Sequence, residues 1–397
     1  MKRTFAPLML LLIFTVSCIL ATNDPNELPD IILSKDVFEQ IWVYNNDESN
    51  IQNVLVDKRN ERVVVVTNEG KWSILTRNNG IVLCESQNSP SPNILGVNQK
   101  IIVKIQDHAI VMANEGGNDI FVYDPKSCNE LAEIHLDDLS RVYNYTIDLA
   151  GEKIVVLRYY GMSAFDLLSG DLVWEIRDYS IASQRTSGYL KAFGNYLFVQ
   201  GEGEIRSIDP ETGINFFTIN SPTDGIYFRG EYLGAGDILL VKGASINNIQ
   251  DQFIVRLDAK SGKILYKTSV DEHLKLYPIK VVNGRKLLYG YSPASEVGAH
   301  AFCALYEIER GEVHLLWQNE EICSNGIFLG EWLVARPYPA PSTDLNSSST
   351  FSMLDVLSGE ALVEQQFNMT GVTGLYSDDE YLYFFRGHQV VAYKIKK

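Results

Sequence analysis

The stretch SAFDLLSGDLVWEI, residues 163–176, contains an aspartate, three intervening residues and a glycine, followed four positions later by a tryptophan. The same order recurs along the chain at nearly constant spacing. The copies are Asp166–Gly170, Asp209–Gly213, Asp258–Gly262, Glu307–Gly311 and Asp355–Gly359, and their glycines are 43, 49, 49 and 48 residues apart. A fixed period of this length indicates a repeat architecture.

Two weaker copies precede these at the same spacing. In the first, Gly80 has no aspartate four residues before it. In the second, Asp124 is in place and Cys128 stands where the glycine belongs. The chain therefore carries seven copies of the motif.

The residue types of the motif predict a tight turn between two strands. An aspartate carboxylate accepts hydrogen bonds from the N–H groups that follow it, and glycine adopts the positive φ that such turns require. β-Rich segments such as FIVRLD and KILYKT flank the turns. The large residue four positions after glycine, Trp174, Phe217 or Tyr266, is expected to point from the outer strand toward the next repeat.

A more apolar segment, such as RVVVVT at 62–67 or ILLVKG at 238–243, precedes every turn, and its composition predicts a strand buried on both faces. Residues 380–397 supply strands without an outer partner, whereas residues 37–46 form an outer strand without inner ones. Pairing the two ends would close a ring and remove its exposed edges. We predict an all-β fold, an eight-bladed β-propeller of four-stranded blades closed by pairing of the N- and C-terminal strands, with seven blades as the alternative.

The first 21 residues predict a cleaved signal peptide, because Lys2 and Arg3 precede an apolar run at 5–16. Residues 22–36 are then an N-terminal linker and residues 37–397 a single propeller domain. The apolar run, about a dozen residues, is shorter than the roughly 20 that span a bilayer, so no direct membrane insertion of the mature chain is expected. Lipid anchoring at Cys18 is the alternative, although Thr15 is unfavourable where a lipobox prefers leucine.

The charge balance argues against nucleic acid as a partner. The chain has 34 basic and 50 acidic residues, a net charge of −16, and removal of Lys2 and Arg3 leaves 32 against 50, or −18. An acidic domain repels phosphate backbones and anionic lipid headgroups.

Four cysteines remain after the signal peptide: Cys84, Cys128, Cys303 and Cys323. An even number in an oxidising compartment predicts disulfides, with three pairings open. Proximity in sequence favours Cys84 with Cys128 and Cys303 with Cys323, and four unpaired core cysteines are the alternative. The sequence shows no metal-binding cysteine and histidine spacing, no nucleophile elbow and no complete dinucleotide fingerprint, so no catalytic, metal or cofactor-binding residue is assigned and no cofactor is expected.

The most complete copy, Ala164 to Trp174, resembles the A-x-D-x-x-T-G-x-x-x-W signature of pyrroloquinoline-quinone-like propeller repeats. This quinoprotein-type family contains dehydrogenases that hold a quinone and Ca²⁺, often against an adjacent-cysteine disulfide and a tryptophan. The chain has no Cys-Cys pair and only five tryptophans. It is also similar to two non-catalytic relatives, the bacterial outer-membrane assembly propeller lipoprotein and the luminal N-terminal propeller of endoplasmic-reticulum membrane complex subunit 1.

Two further features bear on the surface. The sequons at Asn144, Asn346 and Asn368 are candidate N-glycosylation sites, as in a secreted protein. Long links at 242–253, 291–302 and 336–351 are interpreted as joining the first and second strands of blades 5, 6 and 7, where added loops could bind a partner.

These observations predict a non-enzymatic propeller that acts as a protein-interaction scaffold, within a membrane-associated assembly or folding complex. Its location would be the secretory pathway, in the lumen of the endoplasmic reticulum or outside the cell, or the periplasm or a lipid anchor if the protein is bacterial. Its partners would be proteins, including membrane-embedded subunits. The alternative is a quinoprotein-like enzyme that binds a quinone or another small ligand in the central channel.

Overall fold

The computed structural model describes residues 37–396 except 48, 87–99, 107, 138–139, 144–145, 159, 179–188, 194, 202–203, 236–237, 272, 293–300, 311, 321–325, 336–348 and 368–373. The predicted signal peptide and linker lie outside this part of the chain, as do Gly311, Cys323 and the three sequons. Within it, all regular secondary structure is β-strand.

The strands form eight antiparallel sheets, and seven of them consist of strands that are consecutive in the chain. The first four blades are: blade 1, β2 (Ile51–Asp57), β3 (Arg62–Thr67), β4 (Trp72–Thr76) and β5 (Val82–Glu85); blade 2, β6 (Ile101–Gln106), β7 (Ala109–Asn114), β8 (Asp119–Tyr123) and β9 (Glu130–His135); blade 3, β10 (Ile147–Ala150), β11 (Lys153–Arg158), β12 (Gly161–Asp166) and β13 (Leu172–Arg177); blade 4, β14 (Tyr189–Phe193), β15 (Tyr196–Gly201), β16 (Glu204–Ile208) and β17 (Asn215–Asn220).

The remaining blades are: blade 5, β18 (Ile226–Ala235), β19 (Ile238–Ser245), β20 (Gln252–Asp258) and β21 (Ile264–Val270); blade 6, β22 (Lys275–Leu276), β23 (Lys280–Val282), β24 (Arg285–Ser292), β25 (Phe302–Glu309) and β26 (Glu312–Asn319); blade 7, β27 (Gly326–Leu329), β28 (Trp332–Ala335), β29 (Ser349–Asp355) and β30 (Ala361–Phe367); blade 8, β31 (Gly374–Ser377), β32 (Tyr381–Arg386), β33 (Gln389–Ile395) and β1 (Phe38–Asn45).

The ring closes as the sequence predicts, because β1 pairs antiparallel with β33, from Phe38 opposite Ile395 to Asn45 opposite Gln389. The chain thus forms an eight-bladed β-propeller. First strands of neighbouring blades contact each other, which places them at the centre and the fourth strands at the periphery. The core is divided into eight apolar clusters, one between each pair of adjacent blades.

Blade 6 departs from four strands, since its first strand is split into β22 and β23, which both pair with β24. Pro278 lies between them. Proline has no N–H to donate to the neighbouring strand, so the ladder is interrupted there.

The interpretation of the three long links was wrong. The link at 242–253 runs from β19 to β20, which are the second and third strands of blade 5, and the other two occupy the same place in blades 6 and 7. The error arose because the strongly apolar segment is the second strand of each blade. The first strand, such as YLKAF at 189–193, is shorter and less apolar, and gives no clear pattern.

Candidate functional site

The repeated turns join the third and fourth strands, near the periphery of the propeller. In blade 3, the N–H groups of Ser169 and Leu168 donate to the Asp166 carboxylate at 2.9 and 3.0 Å and hold its pKa below the usual value. The Ser261 hydroxyl and N–H lower the pKa of Asp258 in the same way. Asp209 and Asp355 also accept hydrogen bonds from the N–H groups that follow them.

The turn glycines have φ values that side chains rarely adopt. The values are +67° for Gly80, +73° for Gly170, +73° for Gly213, +72° for Gly262 and +71° for Gly359. Cys128 takes the same conformation, with φ +57°, in the copy that lacks the glycine.

Blade 6 forms a different turn from the one that its Glu307 and Gly311 suggest. The pairing of β25 with β26 continues as far as Glu309 opposite Glu312, which leaves a two-residue loop. Arg310 has φ +49°, as the first position of such a loop requires. Glu307 therefore caps no turn and instead accepts hydrogen bonds from Arg285 at 2.6 Å.

Next to each turn, the fourth strand contains one extra residue. The register shift falls at the same position in all eight blades, immediately before the residue that packs on the next blade. These bulge residues are all apolar: Ile41, Leu83, Leu131, Val173, Phe216, Leu265, Leu316 and Leu362. A β-bulge bends its strand and re-aims the following side chain.

The re-aimed side chain packs on the turn of the next blade, as predicted. A Cβ built on Gly213 would lie 3.0 Å from the Trp174 ring, and Trp174 Nε1 donates to the carbonyl of Pro210 at 2.9 Å. Equivalent indole contacts join Trp42 to Gly80 and Trp317 to Gly359. We call the residue after each bulge the wedge residue.

The interface between blades 1 and 8 contains a buried ion pair. Arg77 of blade 1 donates to both carboxylate oxygens of Asp378 of blade 8, at 2.8 and 3.0 Å, and Asp378 is fully buried. Burial alone would raise the pKa of Asp378, but the hydrogen bonds from Arg77 and from the N–H groups of Glu380 and Tyr381 outweigh it and lower that pKa. Burial also raises the pKa of Tyr383, whose hydroxyl donates to Asp378 at 3.0 Å.

Two lysine–aspartate clusters connect blades near the central channel. Lys104 and Lys191, from blades 2 and 4, approach Asp148 of blade 3 at 3.6 and 3.3 Å. Lys58 and Lys280 approach Asp379 of blade 8 at 2.7 and 2.6 Å. Burial lowers the pKa of Lys104. Every lysine of these clusters has a carboxylate partner.

The structure places the predicted site residues at the periphery. The turn residues lie around the outer rim, and Cys84 and Cys128 form a disulfide between blades 1 and 2. Cys303 is buried in blade 6. Within the described ranges, no three histidine, cysteine or acidic side chains are grouped to hold a metal ion, and no helix has the length and hydrophobicity needed to cross a bilayer.

Sequence reasoning missed the exposure of the bulge residues. In blades 1 to 5 their side chains are 38–47 % exposed: Leu83, Leu131, Val173, Phe216 and Leu265. The exposure is greatest where blade 3 meets blade 4, since Leu172 and Ile214 are also exposed, at 53 % and 63 %. Both flank the contact of Trp174 with Gly213. We call Leu172, Val173, Ile214 and Phe216 the apolar seam.

Solved structures share this fold across most of the chain. BamB from Moraxella catarrhalis has 15 % sequence identity and a TM-score of 0.59, and the match covers 91 % of this chain and 98 % of that one. The WD40 domain of SCAP from fission yeast has 11 % identity and a TM-score of 0.58, with 90 % and 97 % covered. The quinohemoprotein alcohol dehydrogenase from Comamonas testosteroni has 11 % identity and a TM-score of 0.55, with 90 % and 76 % covered.

Sequence comparison adds no relative, since no family model and no curated protein matches the chain. Identities this low establish the fold alone. The chain therefore shares the β-propeller fold of these structures.

Proposed function

We propose that this protein is a non-enzymatic interaction scaffold of the secretory pathway, which binds protein partners at the periphery of its propeller. The supporting observation is the exposure of an apolar bulge residue in five consecutive blades. A bulge residue is unpaired in the ladder, and an exposed one contributes little to the core. A polar side chain would serve the fold equally well, so repeated apolar residues suit a surface that a partner covers.

The apolar seam is the part of this periphery best suited to docking. Its four exposed side chains come from two adjacent blades and lie within three residues of Trp174 or Gly213, which contact each other. β13 and β17 are fourth strands, and each is an edge strand of its sheet as far as the structure describes the chain. Edge N–H and C=O groups can pair with an added strand while apolar side chains give affinity.

The proposed compartment and partner class follow from separate features. The predicted signal peptide and the Cys84–Cys128 disulfide suit an oxidising compartment outside the cytosol. We propose membrane-embedded subunits of an assembly or folding complex as partners.

The test is quantitative cross-linking in the native cells, followed by purification of the C-terminally tagged chain and mass spectrometry. The test variant is L172E/I214E, which places two carboxylates in the apolar seam. We expect stoichiometric recovery of membrane-embedded subunits with the wild type and at least tenfold lower recovery with the variant.

The matched control is Leu357→Glu. Leu357 is 45 % exposed on the turn of blade 7, far along the ring from the seam. It should recover partners as the wild type does. Recovery of the tagged chain alone, or equal recovery by the wild type and L172E/I214E, would contradict the proposal.

A further inference from the structure

A cavity opens between blades 5 and 6 on the side of the third-to-fourth strand turns, with a volume of about 540 Å³. Its wall includes Arg256 from β20, Arg285 and Lys286 from the start of β24, and Arg310 from the loop between β25 and β26. Ile238 and Ile308 supply apolar wall. Glu307 and Glu309 are its acidic residues.

Arg256 occupies a position that holds an uncharged residue in the other seven blades. It is the residue of the third strand directly opposite the wedge residue, here Tyr266. The equivalent residues are Ile74, Val122, Ala164, Ser207, Leu305, Met353 and Ala392, and each is at most 3 % exposed. Packing at this position therefore needs no charge, and the arginine of blade 5 calls for another explanation.

The Arg256 guanidinium forms no ion pair within 4 Å among the described residues, and the carboxylate that acts on it electrostatically is that of Asp258. Among the described residues, its Nε is buried without a hydrogen-bond acceptor, and its one hydrogen bond runs from Nη1 to the Arg310 carbonyl at a long 3.4 Å. Asp258, two residues further along β20, uses its carboxylate in the turn. Arg256 is partly buried, and an anion in the cavity would give its Nε a hydrogen-bond acceptor and its charge a close partner.

The other basic groups leave the cavity positive. Arg285 is neutralised by Glu307, whereas Arg310 lies 3.9 Å from Glu309 and is 91 % exposed. Lys286 is half-buried and forms no ion pair within the described part of the chain. Four basic and two acidic side chains give the cavity a charge of +2 in a chain of net charge −16.

A second cavity, in blade 3, contains an arginine that is paired with carboxylates. That cavity, about 420 Å³, is lined by Arg158, which binds Asp137 and Glu175 of the same wall. Two carboxylates neutralise this guanidinium, although its Nε, like that of Arg256, has no acceptor in the described part of the chain. The cavity between blades 5 and 6 lacks an equivalent carboxylate for Arg256.

We propose that the cavity between blades 5 and 6 binds a divalent oxyanion of the phosphate or sulfate class, carried by a small molecule as a monoester. A guanidinium forms paired, charge-assisted hydrogen bonds with such oxyanions, and a lysine adds a point charge. The volume lies in the range of small-ligand sites, so it accommodates more than the free anion. Arg256 and Lys286 supply the two unneutralised positive charges, and the apolar wall holds the rest of the ligand.

The test measures binding to the full chain by calorimetry and by thermal unfolding, with inorganic phosphate, inorganic sulfate and glucose 6-phosphate as probes at constant ionic strength set by chloride. We expect glucose 6-phosphate to bind most tightly and to raise the unfolding temperature. In Arg256→Met, the affinity should fall roughly ten- to a hundredfold, because hydrogen bonds to charged groups are lost. Lys286→Met should weaken binding less.

We expect the Arg256→Met variant to fold, since Met353 occupies the equivalent position in blade 7. Without ligand, this variant should unfold at the same temperature as the wild type or higher, because a buried Nε without an acceptor is removed. The control Arg177→Met removes a 79 % exposed arginine of blade 3 and should bind as the wild type does. Tighter binding of inorganic phosphate and sulfate than of glucose 6-phosphate would overturn the monoester assignment. Failure of all three probes to bind the wild type above chloride, or equal binding by Arg256→Met, would overturn the site.

Discussion

Cys84 and Cys128 form a disulfide across two positions that a tryptophan and a glycine occupy elsewhere in the ring. Cys84 follows the bulge residue Leu83 and is the wedge residue of blade 1, as Trp174 is in blade 3. Cys128 has the place and the positive φ of the turn glycine. The disulfide is thus a covalent form of the contact that packs one blade on the next.

The first prediction concerns this substitution of a covalent bond for packing. In C84A/C128G, blades 1 and 2 keep the turn but lose the cross-link, and no large wedge side chain replaces it. We expect the free energy of unfolding to fall by about 2–4 kcal/mol, because the reduced chain gains conformational freedom when unfolded. Urea unfolding under oxidising conditions measures this.

C84W/C128G is the companion variant, since it restores the tryptophan and glycine of the other seams. It should recover part of the lost stability. If C84A/C128G unfolds within about 0.5 kcal/mol of the wild type, the range of neutral surface substitutions, the disulfide does not support the seam.

The second prediction separates backbone strain from the wedge contact. Gly213→Ala places a Cβ about 3.0 Å from the Trp174 ring at φ +73°, whereas Gly116→Ala has φ +80° with no atom within 4 Å. Both variants carry the cost of a left-handed residue, of order 1 kcal/mol. Gly213→Ala should lose about 1–2 kcal/mol more, because either the ring or the turn must move.

Chemical denaturation of both variants checks this prediction. Equal losses would mean that the glycine is required for backbone conformation alone.

The repeat, its turn and the closure of the ring could be predicted because each depends on local residue types at a fixed spacing. Asp166 and Gly170 carry the turn within five residues, and the two chain ends lack complementary strands. The bulges could not be predicted, since an extra residue is visible only once the register between two strands is known. Leu83 therefore looked like an ordinary strand residue.

Contacts between residues that are far apart in the sequence could not be predicted either. Arg77 and Asp378 are 301 residues apart and belong to no repeat motif. The unusual position of Arg256 could not be predicted either, because it depends on the strand register that pairs Arg256 with Tyr266. In both cases, the role of the residue depends on its place in the fold, which is known only once the strand pairing is known.

The third prediction concerns acid stability. The pKa of Asp378 is lower in the folded protein than in the unfolded chain, where an aspartate has a pKa of about 3.9. Its ion pair with Arg77 therefore contributes stability above that pH, and the contribution is lost as the pH falls through the folded pKa. Asp378→Asn should cost about 1–3 kcal/mol at neutral pH, because Arg77 loses its buried carboxylate partner and keeps the exposed Glu61.

Urea unfolding of the wild type and Asp378→Asn between pH 7 and acidic pH tests whether the ion pair loses its stabilising effect as the pH falls. The difference in unfolding free energy should shrink as the pH falls below about 4. Asp171→Asn, an exposed aspartate in the turn of blade 3, is the control and should leave the profile unchanged. A difference that stays constant down to the lowest pH would show that Asp378 acts through packing.

The last prediction assigns opposite tasks to two neighbouring residues. Val173 is the bulge residue and is 44 % exposed, whereas Trp174 packs on Gly213 and donates to Pro210. Val173→Glu should change the free energy of unfolding by no more than about 0.5 kcal/mol, as is usual for an exposed position. Trp174→Ala should cost about 2–4 kcal/mol, because the large ring and its hydrogen bond are both lost from the seam.

Differential scanning calorimetry measures the stability of the two variants, and recovery of partners from cells measures their binding. If the bulge serves binding and the wedge serves folding, Val173→Glu reduces partner recovery at unchanged stability. Trp174→Phe, which keeps a ring like that of Phe217 in blade 4, should restore most of the stability that Trp174→Ala loses. A large loss of stability in Val173→Glu would instead assign the exposed apolar residue to the fold, and the docking surface would have to be sought elsewhere on the ring.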